Sequence, residues 1–81
     1  MVKLRNITRD DKRIWCDYYP EFETEAGLVV VDLKTDEIID ARPTEYERKL
    51  ETTVYAKYAA LKLSLIKEQK TLPEKASYIW Y

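Results

Sequence analysis

The chain has no histidine, one cysteine and one glycine among its 81 residues, and each scarcity closes a class of function. Without histidine there is no Cys–His pair to make a thiolate nucleophile, and a lone cysteine adds no zinc or iron–sulfur ligand set. One glycine cannot build a Gly-rich phosphate loop. Glu21, Glu23 and Glu25 sit on a polar connection but lack the spacing and the glycine of a calcium-binding loop. No serine nucleophile motif is present, and nothing in the pattern sets two carboxylates across a cleft. The expectation is therefore a non-enzyme, with no catalytic residues, no metal and no cofactor.

Other absences bear on location. A single cysteine forms no internal disulfide, which fits a reducing compartment. No run of eighteen apolar residues occurs, and "MVKLRNITRDDK" lacks the apolar core of a signal peptide. A cytoplasmic protein without a membrane span is expected.

What is present describes a folded chain: 46% hydrophobic and 36% charged residues, enough for one small domain over 1–81. A core of this size gives modest stability, which assembly would supplement. The net charge is −1, but its distribution is uneven. Residues 1–20 hold five basic and three acidic groups, 21–47 two and nine, and 48–81 seven and three.

Alternation in "VKLRNIT" and the β-branched, aromatic "RIWCDYY" predict a first hairpin turning at "RDDK" and stopped at Pro20. "LVVVDL" and "EIIDA" predict a second hairpin over Gly27 to Ala41, with Asp36 in the left-handed position of its "KTDE" turn. After Pro43, Thr44 and Glu47 have capping-box spacing. Tyr46, Leu50, Val54, Tyr58, Leu61 and Leu65 then recur every three or four residues, predicting one helix from about Thr44 to about Gln69. Pro73 ends it. "SYIWY" predicts a short fifth strand, Ser77 to Tyr81, with a second short helix capped by Thr71 and Glu74 as the competing assignment. The expected class is α+β: an antiparallel sheet of two β-hairpins, plus this possible strand, packed against one long helix. Its core is expected from Val2, Leu4, Ile14, Cys16, Val29, Val31, Leu50, Val54, Tyr58, Leu61 and Leu65.

The strands carry apolar residues on both faces. Val29 and Val31 share one side and Leu28 and Val30 the other; Ile14, Cys16 and Tyr18 oppose Trp15 and Tyr19. One helix covers one face, and a bare second face exposes more apolar surface than monomers usually show. A helix of that length spans about 39 Å against about 23 Å for the strands, so it is expected to overhang them. Three covers are conceivable: the C-terminal tail, a partner, or a second copy. The leading expectation is a protein-interaction module, acting as a homodimer or accessory subunit through Trp15, Tyr19, Leu28, Val30, Tyr55, Leu63 and Ile66. The alternative is single-stranded nucleic-acid binding through the first hairpin, where Lys3, Arg5 and Arg13 flank Trp15. Cys16, on the side of Ile14 and Tyr18, is expected to be a buried, inert thiol.

The segments "CDYYPE", "VVVDLKTDEII", and "LP" with terminal "WY" give most of the chain a resemblance to small bacterial proteins of similar length, a conserved-hypothetical type without an assigned activity. The resemblance implies no catalytic or binding residues. It implies a cytoplasmic accessory protein.

Overall fold

A computed structural model describes residues 1–80. Seven elements follow in order: β1 Val2–Arg9, β2 Arg13–Pro20, β3 Gly27–Asp32, β4 Ile38–Arg42, α1 Glu45–Leu50, α2 Val54–Ile66 and β5 Lys75–Tyr78. The strands form one antiparallel sheet in the order β4-β3-β2-β1-β5. Both hairpins form, and the C-terminal segment adds a strand beside β1. The expected strand began at Ser77, whereas pairing begins at Lys75, opposite Arg5. The Tyr81 end of that expectation lies outside the described residues.

The strand residues sort as alternation requires. Val2, Leu4, Ile14, Cys16, Tyr18, Val29 and Val31 are fully buried on one face, beneath α2. Asp36 takes the left-handed conformation (φ 62°) in the β3–β4 turn. There the Asp32 carboxylate accepts from the backbone N–H groups of Lys34 and Thr35.

The helical region departs from expectation in two ways. It is two helices, because Glu51 adopts a left-handed conformation (φ 53°) and its N–H returns to the Arg48 and Glu47 carbonyls, closing α1. At Thr52 and Thr53 the chain re-starts, with the Thr52 hydroxyl accepting from the Val54 N–H. At 13 residues, α2 is about 20 Å long, so nothing overhangs the sheet. The buried face is also not the stripe of large residues. Leu50, Leu61 and Leu65 are exposed, and Val54 and Tyr58 are half-buried; the face on the sheet is Tyr55, Ala56, Ala59, Ala60, Leu63 and Ile66. Three alanines let the helix axis approach a sheet already filled by Tyr18, Leu4 and Ile14; larger side chains there would overpack the layer.

The capping box forms as its spacing predicts: the Glu47 N–H donates to the Thr44 hydroxyl, and the Glu47 carboxylate accepts from the Thr44 N–H. That carboxylate does more. Buried to 1% exposure, it also accepts from the Tyr18 hydroxyl of β2 and from the Ala56 N–H at the start of α2, at 3.3 Å. One side chain thus satisfies donors of α1, α2 and the sheet. Burial and the neighbouring Glu47 push the Tyr18 phenol well above its ordinary range. Gly27, opposite Tyr18 in the ladder, makes room for this link. A Cβ there would stand 2.4 Å from the Tyr18 ring carbon Cζ. The chain's one glycine is present for space, not for a left-handed backbone.

Candidate functional site: the open face of the sheet

Among the described residues no helix covers the other face. There the register sets Asp40 beside Val30 and Val30 beside Trp15, then Arg42 beside Leu28, Leu28 beside Asp17, Asp17 beside Arg5 and Arg5 beside Lys75. A third row pairs Tyr19 with Lys3 and Lys3 with Ser77. Trp15, Tyr19, Leu28 and Val30 are half-buried by one another and by the charged side chains around them. They form an apolar block on β2 and β3, rimmed by Lys3, Arg5 and Lys75 towards β5 and by Arg42 at the β4 side. A shallow depression at the basic end is lined by Lys3, Arg5, Tyr19, Glu23 and Lys75.

Local chemistry holds the rim. The Arg13 guanidinium lies 5.8 Å from the Trp15 ring centroid and donates to Asp10 at 3.2 Å. Asp17 accepts from the Asn6 side-chain amide at 2.8 Å, where Asn6 (φ 55°) marks the irregularity between Arg5 and Thr8. Arg5 reaches the Leu4 carbonyl at 2.8 Å. Arg9, one of the first hairpin's cations, is spent elsewhere: its guanidinium donates to the Lys67 and Gln69 carbonyls just beyond the C-terminus of α2, where a cation suits the helix dipole.

The seven expected contact residues divide. Trp15, Tyr19, Leu28 and Val30 converge on this face, whereas Leu63 (0% exposed), Ile66 and Tyr55 are core. Those three fail as surface contacts because α2 turns its alanine-containing side to the sheet. All four residues of the nucleic-acid alternative, Lys3, Arg5, Arg13 and Trp15, lie on or at the border of this same face. Phe22, Arg42 and Lys75 join it unforeseen. Phe22 is 82% exposed, with the Lys3 ammonium 5.6 Å from its ring centroid; its one available signal was to be the single large apolar residue in an acidic loop. Arg42 and Lys75 become visible only through register.

Among the described residues the tail does not cover the face. Trp80 turns to the helix side and stacks on Tyr58 with ring centroids 4.1 Å apart, in a cluster that includes Tyr55 and Tyr78. The sheet edges are poor docking sites: β5 has only four residues, and β4 is irregular between Asp40 and Ile38. Short and bulged edges oppose strand addition, which leaves the face as the broad surface.

Cys16 is buried on the covered side, and desolvation, with a smaller contribution from Asp17, pushes its thiol up to about 12. It is a packing residue. Among the described residues no three His, Cys, Asp or Glu side chains are grouped to hold a metal ion, and no helix is long and apolar enough to cross a membrane. The chain matches no protein-family model, no curated protein and no solved structure.

Proposed function

We propose that this chain is a small non-enzymatic interaction module, working as a homodimer or as an accessory subunit, whose open sheet face receives a protein partner with an acidic surface. The observation that carries this is the arrangement of Trp15, Tyr19, Leu28 and Val30 in one block with Lys3, Arg5, Lys75 and Arg42 around it. An apolar centre with a charged rim is the anatomy of a protein interface. Lys3, Arg5, Lys75 and Arg42 outnumber Asp17 and Asp40 on this face, and a basic excess steers a partner of the other sign. In the same reading the module works in the cytoplasm, where the buried thiol of Cys16 stays reduced.

The test is photo-crosslinking in cells. A photoreactive residue replaces Val30, with one at exposed Lys49 on α1 as control. Position 30 is expected to capture one discrete protein that position 49 does not. Equal capture from both positions, or none from position 30, contradicts the proposal.

A second reading, single-stranded nucleic acid on the same face, is favoured by the Arg13–Trp15 stack and by Tyr19 beside Lys3, since bases stack on aromatic rings flanked by cations. Salt-sensitive quenching of Trp15 by an oligonucleotide, measured in a Trp80→Phe background and weakened by Arg5→Ala, would support it. No quenching at low salt removes it.

A further inference from the structure

Helix α2 is apolar on almost every side: in "VYAKYAALKLSLI" only Lys57 and Lys62 are charged. A helix with that distribution is ordinarily covered all round. Here one side is covered by the sheet, and successive residues advance by about 100°. Ala59 and Leu63, both fully buried, flank Leu61 at two residues' distance and so point about 160° away from it. Leu61 and Leu65 therefore head an outward stripe opposite the core, 42% and 64% exposed. Ile38 of β4, 40% exposed, adjoins Leu61 along a shallow groove. Three of the chain's large exposed apolar side chains thus lie together on the side away from the open sheet face.

The ends of this stripe carry opposite charges. Lys57 lies one turn before Leu61, and Glu68 lies in the turn just after α2, both exposed. Among the described residues neither takes part in an intramolecular ion pair. The stripe is self-complementary under a two-fold axis. When two α2 helices cross antiparallel with the axis at Leu63, Leu61 of each copy meets Leu65 of the other. Lys57 then falls within one residue's rise, about 1.5 Å along the axis, of Glu68 in the second copy.

We infer that the chain self-associates as a two-fold dimer through the outward stripe of α2, Leu61 against Leu65 with Lys57 paired to Glu68 of the second copy. Two-fold pairing is the commonest closed assembly because each surface feature is used twice. The dimer is helix to helix, with the two sheets on the outside, so both open sheet faces remain available. The inference rests on the self-association half of the proposed function and gives it a surface distinct from the partner face.

Light scattering after size exclusion of the full chain tests it, over a wide concentration range. The expected mass is twice that of the 9.7 kDa chain. Lys57→Glu alone and Glu68→Lys alone are each expected to weaken association about tenfold, two ion pairs being turned to repulsions. The double variant restores both pairs and is expected to return to the wild-type dissociation constant. Leu61→Asp gives a monomer with unchanged circular dichroism, and Trp15→Ala leaves the dimer intact. A wild-type monomer at every concentration overturns the inference. So does a dimer indifferent to the single reversals, one the double variant does not restore, or one broken by Trp15→Ala. That last result would put self-association on the sheet face. The crosslink from position 30 is read independently of all these outcomes.

Discussion

The two faces of the sheet are built from neighbouring residues of the same strands, yet they obey different rules. On the covered face Val2, Leu4, Ile14, Val29 and Val31 belong to one apolar cluster with the residues of α2, and all are fully buried. On the open face Val30 has Asp40 beside it and Leu28 has Arg42 and Asp17, while the Arg13 guanidinium lies over the Trp15 ring. The first arrangement stabilises through area removed from water. The second is a mixed surface in which apolar and charged side chains stand side by side along the rows. The difference teaches that the apolar residues of β2 and β3 divide by parity, one set forming the core and the other a mixed surface that the proposed function assigns to binding.

The largest effect should come from the polar link on the covered side. Glu47→Leu leaves the Tyr18 hydroxyl and the Thr44 and Ala56 N–H groups short of an acceptor, at a cost of about 3–5 kcal/mol. In a domain whose whole margin is roughly 4–12 kcal/mol at this length, urea unfolding should show a sharply lowered midpoint or no native baseline. A loss below about 1 kcal/mol would mean that Glu47 is not the joint between the helices and the sheet.

Adjacent valines give the cleanest comparison of the faces. Val31→Ala, on the covered side, should cost about 2 kcal/mol through lost transfer energy and a cavity. Val30→Ala, one residue away, should cost about 0.5 kcal/mol or less. Equal losses would erase the distinction between the faces. Also smaller than the Val31→Ala loss, Arg9→Ala should cost about 1 kcal/mol or less, because the Lys67 and Gln69 carbonyls lose a cationic donor where water can replace it. It should leave oligonucleotide or partner binding unchanged, unlike Arg5→Ala.

The smallest effect is acid-dependent. Glu21 is held below its ordinary 4.5 by the Tyr55 hydroxyl and the amino terminus. Asp36 is held below its ordinary 3.8 by Lys67. Asp10 and Asp32 are held below theirs by turn N–H groups. A carboxylate whose folded pKa is depressed contributes stability that is complete above its unfolded value and lost as pH falls through the folded one. Unfolding midpoints should therefore be level above about pH 5 and decline gradually below pH 4.5, with Glu21→Gln flattening part of the decline. All four groups lie in turns, loops or, for Asp32, at the end of β3, outside the apolar block, so the acid transition should leave the contrast between Val30 and Val31 intact. A decline beginning near neutrality would contradict this assignment.

Much of the sheet was legible in the sequence because period-two alternation ties each side chain to a face: Ile14, Cys16, Val29 and Val31 are where alternation puts them. The capping box at Thr44 and Glu47 and the left-handed Asp36 were legible for the same local reason. The helix face was not. Leu50, Leu61 and Leu65 match helical spacing as well as the true face does. What decides between them is the depth left over a sheet already filled by Tyr18, a tertiary quantity that selects Ala56, Ala59 and Ala60. The break at Glu51 follows from hydrogen bonds back to Arg48 and Glu47, and no proline or glycine announced it. Half of the candidate site was visible, in Trp15, Tyr19, Leu28 and Val30 and in the basic first hairpin. Lys75 and Arg42 join it through strand pairing across the chain, which no local pattern carries.

The most direct measurement is the urea unfolding free energy of Trp15→Ala. A tryptophan kept for binding should cost less than about 1 kcal/mol when truncated on an open face, with the circular dichroism of the native state unchanged. A loss of about 3 kcal/mol or more, the cost of removing a large aromatic from a core, would show that this face holds the fold together and would contradict its assignment as the partner surface.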